Sequence, residues 1–211
     1  MRNHELHSRF SQLVPQATRS MTALIAGAGM TGSWTALALA RMVKEVHIWD
    51  FDTVEPANLG VQAYDQIDLH MNKALALAGK ALGLPLTGHA ERFPREIRPC
   101  DVLILAVDSM AARREIAYDA ADQDVTFIID PRILGEMACI HPVMHNDLPE
   151  YLRTLPTDAE VTNAPCGAQG TAFTGMWVAS QICAIVNNFG RGLPLPPKLV
   201  WHVGLNQEIA P

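Results

Sequence analysis

The sequence predicts an α/β protein with a doubly wound, mostly parallel sheet and a mixed C-terminal portion. Short apolar runs alternate with helical stretches, a glycine-rich turn follows the first apolar run, and several later runs end on an aspartate. Strands buried on both faces are nearly continuous apolar runs, and the helices that alternate with them connect parallel neighbours. The order strand, glycine turn, helix, strand and acid is typical of a Rossmann-like fold.

The first strand, the turn, the first helix and the second strand follow one another without a gap. Residues 23–26 are apolar and predict the first strand. Residues 33–43 contain neither Pro nor Gly and predict the helix, and residues 46–49 predict the second strand. That strand ends on Asp50, which lies 18 residues beyond Gly32.

The glycine turn has the sequence G-A-G-M-T-G and contains Gly27, Gly29 and Gly32. The first glycine permits the tight turn, the second lets a phosphate approach the backbone, and the third lets helix and strand pack closely. The helix then begins with N–H groups and a positive dipole end, which favour an anion. Asp50 at the next strand tip can accept hydrogen bonds from a ribose. We therefore predict a bound nucleotide, since packing alone does not require three glycines and a terminal acid.

The rest of the chain continues the alternation of helices and strands. A helix is expected to begin near Asn72, and residues 126–129 predict a strand that ends in a turn at Asp130 and Pro131. The other predicted elements are strands at 85–89, 102–107, 139–143 and 199–203 and helices at 109–121 and 174–189. We expect a helical extension at residues 1–21 and a single nucleotide-binding domain at residues 22–211.

Composition and charge exclude several classes of function. The chain has 211 residues, of which 49% are hydrophobic and 18% are charged, as in ordinary globular proteins. Its net charge of −6 disfavours a nucleic-acid partner, and no apolar run reaches the ~20 residues of a membrane span. Four widely spaced cysteines favour reduced thiols, and the first twenty residues lack a signal-peptide pattern, so we expect a cytoplasmic protein.

The residues after the second strand distinguish between nucleotides. They read Asp50-Phe51-Asp52-Thr53-Val54-Glu55-Pro56-Ala57-Asn58-Leu59-Gly60-Val61-Gln62. This stretch resembles the D-x-D-x-V-x-x-x-N-L-x-R-Q signature of the ThiF/MoeB family, which includes the ubiquitin-activating enzymes. Members of that family bind ATP and adenylate the C-terminal carboxylate of a small protein. An NAD-dependent oxidoreductase, the less favoured alternative, would usually continue into a helix after Asp50.

The resemblance implies a role for each matching residue. The three glycines would hold phosphates, Asp50 and Asp52 would lie at the nucleotide with Asp50 on its ribose, and the phosphates would contact Asn58, Gln62 and Lys73. Asp108 would carry Mg²⁺, although it could instead cap the helix at 109–121. Lys73 could instead be a solvated surface lysine. Cys166 would take part in sulfur or acyl transfer, or else be a small residue in a tight loop.

Two departures from the family pattern weaken the expectation of turnover. Val61 stands where the family has an arginine, which would neutralise charge that builds on the phosphates. Arg9 resembles an arginine of the family's N-terminal helix, but a second arginine of that helix is not evident. Loss of one well-placed charged donor typically costs on the order of 10²–10³ in rate. Compensation could come from one of four basic residues, namely Lys73, Arg41, Arg113 and Arg114.

The sequence therefore predicts an ATP-dependent adenylyltransferase-like protein that uses Mg²⁺. Its expected partner is a small sulfur-carrier or ubiquitin-like protein, and the resemblance also implies a homodimer. A nucleotide-binding adaptor of the same fold, impaired in catalysis, is the main alternative. Family members carry a crossover loop where residues 146–165 lie, and some bind zinc through paired C-x-x-C motifs. This chain contains no C-x-x-C, so we expect no structural zinc of that type.

Overall fold

Eight strands form one sheet in the part of the chain that the computed structural model describes, residues 12–156 and 170–209. The strands are β1 (Thr22–Ala26), β2 (Glu45–Trp49), β3 (Leu86–His89), β4 (Cys100–Leu105), β5 (Val125–Leu134), β6 (Met137–Met144), β7 (Leu199–His202) and β8 (Gln207–Glu208). The helices are α1 (Gln16–Arg19), α2 (Met30–Leu39), α3 (Lys73–Lys80), α4 (Met110–Ala121), α5 (Leu148–Thr154) and α6 (Ala172–Gly190).

The strand order is β3-β2-β1-β4-β5-β6-β7-β8. The first five strands in this order, β3, β2, β1, β4 and β5, are parallel to one another. By contrast, β6, β7 and β8 each pair antiparallel with their neighbours. The predicted fold class is therefore confirmed, including the mixed C-terminal portion. The chain extends the sheet in opposite directions from β1, so the order reverses between β1 and β4. Ligands of such sheets bind at this reversal, outside the carboxyl ends of the strands.

Alternate residues of the central strands are buried against different layers. Ile25 and Ile104 pack in the cluster that contains residues of α2, α3 and α6, whereas Leu24 and Leu103 pack in the cluster with α4 and α5. All four side chains are almost fully buried. Complete burial of such a side chain contributes about 1.5–3 kcal/mol. This two-sided core fixes the central strands, and the strand tips are correspondingly well placed to carry functional groups.

Two predicted element boundaries were wrong near the glycine turn. Helix α2 begins at Met30, directly after Gly29, and ends at Leu39, so it includes Gly32 and is shorter than predicted at its C-terminus. Strand β4 ends at Leu105 and therefore stops two residues before the predicted end. The earlier end of β4 leaves residues 106–109 as an irregular segment at the carboxyl edge of the sheet, close to the start of α2.

The turn predicted at Asp130 and Pro131 was wrong, because β5 continues through both residues to Leu134. Pairing of β5 with β4 ends at Ile129, and beyond that residue β5 has only β6 as a neighbour. Proline lacks a backbone N–H and is tolerated where one side of a strand is unpaired. Strand β5 thus projects beyond β4 and carries Arg132 past the tip of its neighbour.

The segment expected as a polar crossover loop contains a helix, α5. Pro149 lies in its first turn, where a missing N–H has no cost, and Leu148 and Tyr151 are buried against α4. The Arg114 guanidinium donates to the carbonyls of three residues at the end of this helix, namely Leu152, Leu155 and Pro156. None of the described helices is long and apolar enough to cross a membrane.

Four side chains form a row across the outer strands β2 and β3, namely Arg98, His47, His89 and Trp49. The Nη1 of Arg98 lies 2.7 Å from Nε2 of His47, and Nδ1 of His47 lies 3.1 Å from Nε2 of His89. Arginine can only donate, so Nε2 of His47 accepts and Nδ1–H of His47 donates to His89. The ring of His89 stacks on Trp49 at a centroid distance of 4.3 Å. This arrangement requires His47 to be neutral and Nε2 of His89 to be unprotonated.

Acidification is expected to destabilise the protein through these two histidines. Burial lowers the pKa of both His47 and His89, and the nearby Arg98 lowers both further. Below the ordinary histidine pKa of about 6.5 the unfolded chain binds more protons than the folded one, so the free energy of unfolding falls as pH decreases. Urea denaturation at a series of pH values below about 6.5 should show that the free energy of unfolding depends less on pH in His89→Gln than in wild type. The control His70→Asn, outside this row, should keep the wild-type slope, and an unchanged slope in His89→Gln would contradict the assignment.

Candidate functional site

A cavity of about 1010 Å³ opens at the carboxyl ends of β1, β2, β4 and β5. It lies at the reversal of strand order, and its volume suits a nucleotide-sized ligand. We call it the crevice. Its lining includes most of the predicted site residues, namely Gly27, Gly29, Asp50, Asp52, Gln62, Lys73 and Asp108. Residues far apart in the sequence are thus brought together in one place.

The glycines of the turn are required for different reasons. Gly27 has a φ of +95°, and a Cβ there would lie 2.6 Å from the carbonyl oxygen of Ala106. A Cβ on Gly32 would lie 1.9 Å from the carbonyl oxygen of Gly27. Gly29 has an ordinary φ of −71°, and a Cβ added there would meet no atom within 4 Å. The protein itself excludes side chains at two positions, whereas the space beside Gly29 is open for a ligand.

Asp50 links the glycine turn to the tip of β2. Its Oδ2 accepts a hydrogen bond from the N–H of Ala28 at 2.6 Å, and its Oδ1 accepts one from the N–H of Asp52 at 2.8 Å. Burial nevertheless raises the pKa of the Asp50 carboxyl above its usual value, because it outweighs these two bonds. A carboxylate offers about four acceptor sites, so further sites remain for ribose hydroxyls.

Lys73 presents a partly shielded positive charge to the crevice. The side chain of Asn72 caps α3 by accepting from the N–H of Leu75 at 3.1 Å, which fixes the helix start. The Lys73 side chain is only 11% exposed, and its Nζ lies 3.2 Å from Oδ2 of Asp52. This placement contradicts the alternative of a solvated surface lysine. An ammonium group has three donors, so donors remain for phosphate oxygens.

Asp108 has an uncommitted carboxylate at the edge of the crevice. The alternative role as a helix cap was wrong, because Ser109 caps α4 by accepting from the N–H of Ala112 at 3.2 Å. Asp108 is exposed and forms no hydrogen bond or ion pair with a described residue. Mg²⁺ is commonly held by one or two carboxylates together with phosphate oxygens and water, and a free carboxylate at this place fits that preference.

The signature residues after Asp52 divide into two groups. Gln62 lines the crevice, and its buried Oε1 has no hydrogen-bond partner among the described residues, so a donor from a ligand would remove that cost. Asn58 is outside the described lining, and its side-chain oxygen accepts from the N–H of Glu55 at 2.9 Å. Val61 is also outside that lining, and its carbonyl accepts from the Trp34 indole at 3.2 Å. The phosphate contact of Asn58 stays a prediction.

All three arginines proposed as substitutes for the family arginine bind other groups of the protein. Arg41 donates to the backbone carbonyl of a residue in the last turn of α2, at the end remote from the glycine turn. Arg114 binds the end of α5. Arg113 lines the crevice but is buried and donates to Asp130 and to backbone carbonyls. Of the four candidates, only Lys73 and Arg113 line the crevice in the described structure, and Lys73 is the more exposed of the two side chains, at 11% against 5%.

The sequence-based prediction missed Arg132, which also lines the crevice and is bound to the buried Asp130. The only signal was an Asp-Pro-Arg sequence after an apolar run, which was assigned to a turn. Cys166 and Arg9 lie outside the described residues. Within residues 12–156 and 170–209, no cluster of three or more His, Cys, Asp or Glu side chains could hold a metal ion by itself.

The fold and the position of the crevice place the chain in the class of Rossmann-type α/β proteins. The sequence model of the ThiF family matches residues 2–192, and the chain therefore belongs to the ThiF family. This result confirms the resemblance that was inferred from residues 50–62. A comparison with curated protein sequences gave no match.

Solved structures with the same fold include PaaA and E. coli MccB. PaaA is 16% identical, with a TM-score of 0.75 over 98% of this chain and 72% of that chain. MccB with MccA-N7isoASN is 14% identical, with a TM-score of 0.75 over 98% of this chain and 70% of that one. MccB with ATP is 15% identical, with a TM-score of 0.74 over 95% and 66%. At these identities the likeness concerns the fold.

The two kinds of glycine in the turn can be separated by mutation. Gly29→Ala should change the free energy of unfolding by less than about 1 kcal/mol, because its Cβ meets no atom, but it should weaken ATP binding. Gly32→Ala should lower stability by more than about 2 kcal/mol, because its Cβ collides with backbone. Urea denaturation and ATP titration by calorimetry measure both effects. Unchanged ATP affinity in Gly29→Ala would contradict the prediction that a phosphate binds at this turn.

Proposed function

We propose that this protein is an ATP-dependent adenylyltransferase that activates the terminal carboxylate of a peptide or small protein. Membership of the ThiF family supports this function. The observation that carries it is the convergence of the open space at Gly29, the Asp50 carboxylate, the Lys73 ammonium and the free Asp108 carboxylate on one crevice. MccB, a microcin C7 biosynthetic enzyme with this fold, has been solved with ATP and with MccA.

In this proposal each group in the crevice has one task. The backbone of the glycine turn holds phosphate oxygens, and Asp50 accepts hydrogen bonds from the ribose. Lys73 and the Gln62 side-chain NH₂ donate to the phosphates, with Lys73 on the side of the crevice that adjoins Asp52. Asn58, outside the described lining, is a further proposed phosphate contact. Since Asp50 is already fixed by backbone N–H groups, the nucleotide would bind to a preformed site.

The charge of the crevice favours a metal ion with the nucleotide. Its described lining has one more acidic than basic side chain, with the acids Asp50, Asp52, Glu91, Asp108, Glu115 and Asp119 against the bases Lys73, Arg92, Arg95, Arg113 and Arg132. A triphosphate would add further negative charge to this surface. Mg²⁺ held beside Asp108 would neutralise phosphate charge and polarise the phosphoryl group. The chain's own contribution is to hold that carboxylate free just beyond the tip of β4.

The proposed reaction is a displacement at the α-phosphorus. A carboxylate oxygen of the substrate forms a bond to the α-phosphorus, and the bond from that phosphorus to the oxygen bridging to the β-phosphate breaks. Pyrophosphate leaves with the electron pair, and the product is an acyl adenylate. The Cys166 thiolate could then attack the acyl carbon and release AMP, which gives a thioester. A small sulfur-carrier or ubiquitin-like protein is the proposed substrate, and a homodimer is the proposed assembly.

A catalytically impaired nucleotide-binding adaptor is the second candidate. Val61 favours it, because neither this residue nor the described positions of Arg41, Arg113 and Arg114 supply the missing guanidinium. The two candidates differ in turnover and agree in ATP binding. Calorimetry that detects ATP binding without pyrophosphate release would favour the adaptor.

Pyrophosphate release tests the enzymatic proposal directly. The protein is mixed with ATP, Mg²⁺ and a panel of peptides that have free C-terminal carboxylates, and pyrophosphate is measured. Asp108→Asn should lower the rate by on the order of 10²-fold or more, because it removes the carboxylate that would hold the metal ion. Asp124→Asn, a control outside the crevice, should keep the wild-type rate. Equal rates for Asp108→Asn and wild type would exclude the assigned role.

Restoring the family arginine should strengthen the phosphate site. Val61→Arg adds a long cationic side chain next to Gln62, and we expect ATP affinity and pyrophosphate release to rise by about tenfold each. Val61→Leu changes the same position without charge and should have no such effect. If Val61→Arg and Val61→Leu have the same ATP affinity and the same rate of pyrophosphate release, the absence of the family arginine limits neither quantity.

A further inference from the structure

The buried Asp130 carboxylate is shared by two arginines. Its Oδ1 accepts from Arg113, and its Oδ2 accepts from Nε of Arg132 at 2.9 Å and from Nη2 of Arg132 at 2.5 Å. The Tyr151 hydroxyl also donates to Oδ2, at 2.7 Å. Asp130 is 0% exposed. Two guanidinium groups and one carboxylate leave one positive charge in excess, and buried charges normally have partners.

Only one of the two guanidinium groups can present this excess charge to a ligand. The Arg113 side chain is 5% exposed, and its Nη atoms also donate to the carbonyls of Leu105, Val107 and Pro131. Its Nε has no described partner but is buried, so a ligand in the crevice does not reach it. The Arg132 side chain is 29% exposed and lines the crevice. Its Nε and Nη2 are bound to Asp130, whereas its Nη1 donates to no described residue. Arg132 is therefore an oriented cation with a donor left over.

Arg132 and Lys73 lie on opposite sides of the glycine turn. Lys73 contacts Asp52, which follows β2, and β2 is the neighbour of β1 on one side. Arg132 belongs to β5, which is separated from β1 by β4 on the other side. Lys73 and Arg132, two of the five basic residues that line the crevice, are therefore on opposite sides of β1. A displacement at phosphorus has the attacking and leaving oxygens roughly in line, hence on opposite sides of the phosphorus.

We propose that Arg132, positioned by Asp130, binds the carboxylate of the acyl substrate. This inference rests on the proposed function, in which Lys73 holds the phosphates that leave. The attacking carboxylate then approaches from the β5 side, where the open Nη1 of Arg132 lies. Guanidinium and carboxylate are well-matched partners for charge-assisted hydrogen bonds. The other anion that Arg132 could contact is the phosphate chain itself.

The experiment uses AMPCPP, a nucleotide whose α,β-bond is not cleaved, and a tetrapeptide ending in glycine. Peptide affinity is measured on the AMPCPP-bound protein with the peptide as a free acid and as a C-terminal amide. Wild type should bind the acid at least about tenfold more tightly than the amide. Arg132→Gln should lose this preference and keep its AMPCPP affinity. Arg95→Gln removes another crevice arginine, one whose side chain pairs with the exposed Glu115, and should keep the preference.

Each other result would overturn the proposal in a recognisable way. Equal binding of acid and amide by wild type, or an undiminished preference in Arg132→Gln, excludes the carboxylate contact. A tenfold loss of AMPCPP affinity in Arg132→Gln assigns Arg132 to the phosphates instead. Failure of wild type to bind AMPCPP refutes the proposed function rather than this contact. If Arg132→Gln does not fold, Arg132→Met keeps the apolar stem and removes the charge, and an undiminished acid preference there overturns the proposal.

Discussion

The attachment of the glycine turn to its neighbours is the constraint on which the rest of the site depends. Asp50 binds the N–H of Ala28, and the Tyr64 hydroxyl donates to the carbonyl of the same residue at 2.7 Å. The same hydroxyl lies 3.3 Å from the carbonyl oxygen of Lys73. Both polar groups of one turn residue are thereby held by side chains from other segments. These hydrogen bonds consequently connect the turn, the tip of β2 and the start of α3.

The two ends of the crevice differ in how their charged side chains are balanced. Near β2, backbone N–H groups and a lysine surround carboxylates, so the charges are balanced locally. Near β5, one buried carboxylate balances only one of two arginines. Replacing a buried ion pair by apolar residues is often neutral for stability, so such a group is weak support for a purely stabilising role. An unequal cluster at the rim of a cavity is more simply explained as part of a ligand site.

Features that depend on neighbouring residues could be predicted from the sequence, whereas those that depend on distant pairing could not. The glycine turn, the alternation of strands and helices, and the cap at Asn72 are encoded locally, and the structure contains each of them. The extension of β5 through Asp130 and Pro131 follows from β4 ending earlier and β6 continuing, which no local pattern shows. For the same reason no pattern indicated that Arg132 would reach the crevice. Asp108 was the cap considered from the sequence, and only the hydrogen bond from the N–H of residue 112 shows that Ser109 has this role instead.

The burial of Asp130 has a consequence for behaviour in salt solutions. Surface pairs such as Arg95 with Glu115 are exposed, and mobile ions screen them over a Debye length of about 8 Å at physiological ionic strength. The Asp130 carboxylate is inaccessible to those ions, so its hold on the two guanidinium groups depends little on ionic strength. The orientation of the Arg132 guanidinium should therefore persist at salt concentrations that weaken the surface ion pairs. A saline environment would weaken long-range attraction to the crevice while its inner geometry stays intact.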